Sequence, residues 1–313
     1  ADARLDLLGS WYGQGQADKV VSILTGLKER FGADKVIYTK GSEPDKDDRS
    51  GFAAALNAAR SADKVVMAVG HPGFWSGEAT SLTSIRIPAI QQELIQEVAQ
   101  SGKPLILVLL NGRPLDLSWE STVADAIVEA WYPGTEGGHA VADVLSGDFN
   151  PCGKLTMTFP RNLGQVPIHY DAKNTGRPYT PGQGEQHYVS RYLNEPTATP
   201  LYPFGYGLSY TTFEYSDLKV APEKTDMKQP VAVTVTVKNT GKVRGTEVVQ
   251  LYVRDLVASV TRPTRQLKGF ERVTLEPGES REVSFTITSD AVGFYRQDMS
   301  FGYEPGDFKV WAG

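Results

Sequence analysis

Two hydrophobic periods divide this 313-residue chain. Between residues 17 and 160, helical spacing alternates with short β-branched runs. Val20, Val21, Ile23, Leu24 and Leu27 recur on one helical face up to Phe31-Gly32, and Lys35-Val36-Ile37-Tyr38 then predicts a strand. Phe52 to Ala62 is Ala-rich and predicts a helix, while Lys64 to Val69 predicts a strand buried on both faces and ending at Gly70. Pro88 suits the first turn of a helix carrying Ile90, Leu94, Ile95 and Val98, which Gly102 ends before a strand over Leu105 to Leu110. The cycle continues through Ala126 to Trp131, a helix from Glu136 to Leu145 and a strand from Lys154 to Phe159. Such alternation is the signature of an α/β domain. Its first element is a helix, although an α/β domain normally begins its winding with a strand, so the first strand is expected to be missing from this sequence.

From Asn162 to Pro203 the periodicity fades into a Pro-, Gly- and Tyr-rich stretch, too long for an ordinary connection. Beyond it the period becomes two. Val231, Val233, Val235 and Val237 face one way while Ala232, Thr234, Thr236 and Lys238 face the other. Val248 to Val253 and Val283 to Ile287 predict further strands, separated by turns at Asn239-Thr240-Gly241-Lys242 and Glu276-Pro277-Gly278-Glu279. Regular strands over about 100 residues indicate an immunoglobulin-like β-sandwich, with Trp311 expected in its core. The expected organisation is an α/β sandwich domain over residues 1–203, including the long loop at 162–203, followed by an all-β sandwich over 204–313.

Composition agrees with two globular domains: 40% of residues are hydrophobic and 22% charged. A net charge of -5, with basic residues scattered, offers no footprint for nucleic acid. Apolar runs such as Pro104 to Leu110 fall well short of the roughly 20 residues of a membrane-spanning helix. Cys152 is the only cysteine, which excludes an internal disulfide framework and a multi-cysteine metal site. His71, His139, His169 and His187 lack metal-ligand spacing, so no metal is expected. A dinucleotide cofactor would need a Gly-x-Gly-x-x-Gly loop after a first strand, and none is present. Ala1 to Leu5 shows no signal-peptide pattern.

Candidate chemistry lies in Gly70-His71-Pro72-Gly73-Phe74-Trp75-Ser76-Gly77-Glu78-Ala79, at the C-terminal end of a predicted buried strand, where open α/β sheets place ligands. A carboxylate beside Phe74 and Trp75 could sit in an aromatic, partly dehydrated cleft that raises its pKa toward that of a general acid. Aromatic planes also suit the C–H faces of sugars. Locally, the plainer reading of Glu78 is a solvated loop residue.

A wider series of strings changes that balance. Gly102-Lys103-Pro104, Asn111-Gly112-Arg113-Pro114-Leu115, Trp131-Tyr132-Pro133-Gly134-Thr135-Glu136-Gly137-Gly138-His139-Ala140 and Asp143-Val144-Leu145-Ser146-Gly147-Asp148-Phe149-Asn150-Pro151-Cys152-Gly153-Lys154-Leu155 occur in order. Thr158-Phe159-Pro160-Arg161, Gly176-Arg177-Pro178-Tyr179 and Pro203-Phe204-Gly205-Tyr206-Gly207-Leu208-Ser209-Tyr210-Thr211-Thr212-Phe213 follow. Together they resemble glycoside hydrolase family 3 over essentially the whole chain, most closely its bacterial periplasmic β-glucosidases. The residues alone assign Asn111-Gly112-Arg113-Pro114 to a turn, and Thr135 with Glu136 to a helix cap.

The resemblance implies the second and third parts of a three-part enzyme: an α/β sandwich domain and a fibronectin type III-like domain, with an N-terminal (β/α)8 barrel on polypeptide outside this sequence. The barrel supplies the aspartate nucleophile, and Glu78 falls on the acid/base position of a retaining exo-β-glucosidase. Trp75, Phe74 and His71 become candidate substrate contacts, the substrate being a terminal β-D-glucoside or cello-oligosaccharide. No cofactor is implied, a homodimer is allowed, and the compartment is periplasmic or secreted. The chain alone is expected to be inactive. Related readings are a β-xylosidase, an N-acetylglucosaminidase, or a carbohydrate-binding scaffold that has lost the chemistry. After the glutamate the family often carries an arginine and an aspartate, where this chain has Leu82 and Ser84.

Overall fold

The computed structural model describes residues 1–180, 182, 187–195 and 197–313. They form two compact units, residues 1–149 with 159–166, and residues 150–158 with 167–313.

In the first unit, helices α1 (Arg4–Leu8), α2 (Ile23–Phe31) and α3 (Phe52–Ser61) precede strand β1 (Val65–Gly70), and helix α4 (Ala89–Ala99) leads to β2 (Leu105–Leu110). A short α5 (Glu120–Val123), strand β3 (Ala126–Glu129) and helix α6 (Gly137–Ser146) follow. The strands form a parallel sheet in the order β1-β2-β3, with Val65 opposite Leu105 and Ile106 opposite Ala126. Central β2 is the most apolar, and Leu107, Val108 and Leu109 are fully buried.

Helix α2 starts later than its apolar spacing suggests because Ser22 caps it, the Oγ accepting from Thr25 N at 3.1 Å. It stops at Gly32, whose φ of 97° an L side chain rarely adopts. Helices α2 and α6 meet backbone to backbone. A Cβ on Gly138 would run into the carbonyls of Val21 and Ser22.

Three sequence expectations change here. Val36 to Tyr38 belong to no ladder among the described residues. A 3₁₀ turn (Ala33–Lys35) precedes them, Val36 is extended, and the segment joins no strand. Strand β1 is not buried on both faces: Val65, Val66 and Ala68 are half-buried, because β1 is the sheet edge. Lys154 to Phe159 also form no strand. Leu155 instead exchanges backbone hydrogen bonds with the 205–206 loop, through Leu155 N to Tyr206 O (2.8 Å) and Gly205 N to Leu155 O (2.7 Å). The stretch at 162–203 includes residues 181, 183–186 and 196, which lie outside the described residues. Its described part carries a single 3₁₀ turn, Leu163–Gln165.

The second unit is a β-sandwich of strands β4 (Phe213–Ala221), β5 (Val231–Asn239), β6 (Gly245–Asp255), β7 (Gln266–Leu275) and β8 (Ser280–Ile287). A one-turn α7 (Ser289–Val292), the short pair β9 (Phe294–Tyr295) and β10 (Phe301–Gly302), and β11 (Phe308–Ala312) complete it. The main sheets run β4-β5-β8 and β11-β6-β7, each antiparallel. The predicted alternation places Val231, Val233, Val235 and Val237 inside, against Val249, Leu251, Val273, Val283 and Phe285. Trp311 is not in that core. On β11, Phe308, Val310 and Ala312 pack inward, so the two-residue period turns Trp311 to the other face, where the Arg265 guanidinium lies 4.9 Å from its ring centroid.

Candidate active site

Strand β1 ends at Gly70, whose φ of 128° turns the chain out of the sheet beside Leu110, where a Cβ would strike the Leu110 carbonyl. The loop from His71 to Thr80 begins there. Side chains from far along the sequence hold its backbone. Gly73 N donates to Asp6 Oδ1 at 2.9 Å, and Ser10 Oγ donates to the carbonyls of Gly73 and Ser76. Tyr132 OH lies 3.0 Å from Ser76 Oγ. Arg113 Nη2 donates to Trp75 O at 2.7 Å and to Thr80 O at 3.1 Å, spanning the segment that contains Glu78. Arg113 is fixed from below in turn: Asn111 Nδ2 donates to its carbonyl at 3.0 Å and to Glu129 Oε2 at 3.3 Å.

Glu78 sits at the tip, exposed, and makes no hydrogen bond or ion pair among the described residues. Gly77 before it has φ 126° and Ala79 after it φ 58°. A left-handed alanine costs about 1–3 kcal/mol and persists only where surrounding contacts over-determine the backbone. Trp11, with φ 62°, is 77% exposed and packs by Gly77. Phe74 is 65% exposed, and its ring meets that of half-buried Trp75 edge-on at 6.3 Å. The loop thus presents an exposed carboxylate on a segment that also carries Phe74 and Trp75, with Trp11 beside Gly77. The dehydrated cleft expected around Glu78 is not formed among the described residues, where Glu78 is exposed.

His71 lies beneath the loop and is 2% exposed. Its Nε2 meets Arg86 O at 2.9 Å, its ring is 5.3 Å from Trp75, and burial lowers its pKa, so the neutral imidazole donates from Nε2. Glu129, at the end of β3, accepts from Trp131 N at 2.9 Å, and burial pushes its carboxyl up to about 7. Glu136 does not cap α6 with its side chain. It bonds His139 Nδ1 at 2.7 Å, while Nε2 of the same ring meets Glu29 of α2 at 2.7 Å. Leu82 is partly exposed, and Ser84 Oγ accepts from Arg86 N at 3.3 Å.

The structure therefore leaves Phe74 and Glu78 exposed on one loop, with Trp75 half-buried between Phe74 and the buried His71. Sequence reasoning gave no loop role to Asp6, Ser10, Trp11, Arg113 or Tyr132. Arg113 and Tyr132 carried a signal, since both stand in the ordered strings, whereas Asp6 and Ser10 lie more than 60 positions from the carbonyls and amides they meet. No group of three or more His, Cys, Asp or Glu among the described residues is placed to hold a metal ion.

Residues 1–210 match the family model of the glycosyl hydrolase family 3 C-terminal domain, and residues 247–313 match that of a fibronectin type III-like domain. The periplasmic beta-glucosidase of Salmonella typhimurium is 46% identical, aligned over all of this chain and 43% of its own length. A beta-xylosidase of Formosa agariphila is 43% identical over 98% of this chain and 41% of its own. Among solved structures, a beta-glucosidase from Listeria innocua in complex with glucose superposes with a TM-score of 0.92 at 41% identity, covering 98% of this chain and 42% of that one. The chain thus spans less than half the length of these relatives. With an α/β sandwich domain and a fibronectin type III-like sandwich in the matching order, this chain belongs to glycoside hydrolase family 3.

Proposed function

We propose that this chain is the acid/base-bearing portion of a retaining, exo-acting β-glucosidase, with Glu78 as general acid and then general base. The observation that carries this reading is the stapled loop: an unpartnered carboxylate held by bonds to the backbone on either side of it and flanked by exposed rings. In double displacement, a carboxylate about 5–5.5 Å away attacks the anomeric carbon while Glu78 protonates the departing glycosidic oxygen. Glu78 then takes a proton from the water that releases the sugar. The attacking aspartate comes from a (β/α)8 barrel on polypeptide outside residues 1–313. Covering the tip would exclude water from around Glu78. Phe74 and Trp75 pack on the sugar, and His71 supports Trp75 from beneath. The names of the relatives favour a glucoside over a xyloside in a periplasmic or secreted setting, and the same reading divides the chain into residues 1–203 and 204–313.

The test is Glu78→Ala in an enzyme that joins this chain to a family 3 barrel. An unactivated disaccharide should lose at least about 100-fold in rate, aryl glucosides with good leaving groups should lose less, and azide should restore deglycosylation. Equal rates for parent and variant on the disaccharide would refute the assignment.

A further inference from the structure

Helices α2 and α6 share a histidine. Their backbones touch, for a Cβ on Gly26 would strike the Gly138 carbonyl just as one on Gly138 would strike those of Val21 and Ser22. Backbone hydrogen bonds cross the seam at its start, from Gly138 N to Val21 O at 3.0 Å and from Val21 N to Thr135 O at 2.9 Å. His139 stands one residue further along α6, its side chain 44% exposed. Its Nδ1 lies 2.7 Å from Glu136 Oε2, in the turn before α6, and its Nε2 lies 2.7 Å from Glu29 Oε2 of α2.

Those two contacts fix the protonation of the ring. A neutral imidazole has one N–H and one lone pair, so it donates to one carboxylate and turns a lone pair on the other. Carboxylates on both nitrogens need a donor on each, which is the imidazolium, and 2.7 Å is the length of a charge-assisted bond. The first turn of a helix by itself opposes a cation, so the carboxylates must sustain this one. Hydrogen bonds to Glu29 and Glu136 hold the His139 pKa above the ordinary histidine value of 6.5. These are the charged groups that face the ring from α2 and from the turn before α6. Arg30, next to Glu29, is turned to Asp148, with Asp143 of α6 also acting on it.

We propose that His139 is a proton-operated clip across the α2–α6 seam, closed as the imidazolium and half-released as the neutral ring. Folding raises the proton affinity of His139, so the stabilisation is fully present below the ordinary value of 6.5 and is lost as pH rises through the higher folded value. With one proton gone, either Glu29 or Glu136 faces a lone pair. A ring that keeps Glu136 then bonds only its own turn and lets α2 go. That turn follows Tyr132, whose hydroxyl meets Ser76 Oγ in the Glu78 loop, and contains Gly134 N, which donates to Leu7 O of α1. Mild acid therefore tightens one support of the loop, whatever role Glu78 has.

The test compares the 313-residue chain with its His139→Gln, Glu29→Gln and Glu136→Gln variants. NMR titration of the four histidines should place His139 above 6.5, and each glutamate substitution should lower its value. Amide hydrogen exchange reads the seam at Gly138 and Val21, whose intrinsic exchange rates His139→Gln leaves unaltered because neither amide belongs to residue 139 or follows it. At pH 5.5 both amides should exchange about 3-fold faster in His139→Gln than in the parent, the size expected of exposed charge pairs. At pH 8.5 the two proteins should exchange alike. Comparing them at one pH cancels the titration of Glu129, which both retain. The proposal fails if His139 titrates at or below 6.5, if either glutamate substitution leaves its titration unchanged, or if the ratio of rates at Gly138 is the same at both pH values.

Discussion

One guanidinium ties together the two ends of the segment that carries Glu78. Arg113 Nη2 bonds the carbonyls of Trp75 and Thr80 together, so Arg113→Ala should free the segment between them. Amide exchange over residues 76–80 should then accelerate about 10-fold or more in the 313-residue chain. In a barrel-bearing enzyme, kcat should fall while KM changes little. Arg113→Lys should recover only part of both, since an ammonium lacks the planar fork. Beneath it, Glu129 supplies a pH dependence. Its folded pKa of about 7 stands above the ordinary glutamate value of 4.5, so the native state binds the extra proton between those values. The stabilisation is therefore fully present below pH 4.5 and is lost as pH rises through 7. Glu129→Gln should gain in Tm relative to the parent between pH 5 and pH 8, and an unchanged difference would refute the assignment. Neither role was legible in the sequence. Arg113 read as part of a turn, and Glu129 only as one position in the run from Ala126 to Trp131, because the partners that matter to both come from elsewhere in the chain.

The α2–α6 contact shows what separate elements demand of one another. Gly26 and Gly138 let the two helix backbones touch, and any Cβ at Gly138 meets main chain that cannot rotate away. Gly138→Ala should cost about 1–3 kcal/mol, seen as a lowered Tm and denaturant midpoint. The α2 and α6 patterns themselves were plain from their apolar spacing, as were α4, β2, β5 and β8, where one face meets one core. Lys154 to Phe159 and Trp311 misled for a related reason. An apolar run does not say which backbone will accept its hydrogen bonds, and a Trp one position out of phase faces away from the core its neighbours fill.

At the level of the entire chain, residues 1–313 should fold but show no glycosidase turnover on aryl β-glucosides, because the proposal places the attacking carboxylate on other polypeptide. A steady-state assay checks this, and turnover lost with Glu78→Ala in the isolated chain would overturn it. The sequence by itself determined the two fold classes, through a helical period that gives way to a period of two, and the family, through long ordered strings. It also pointed to Glu78, chiefly through the resemblance those strings carry, since the loop by itself favoured a solvated residue. Tertiary structure decided what holds Glu78, which edge of the sheet stands open and which residues lie under the tip. These depend on contacts between positions tens of residues apart, and local periodicity carries no information about such pairs.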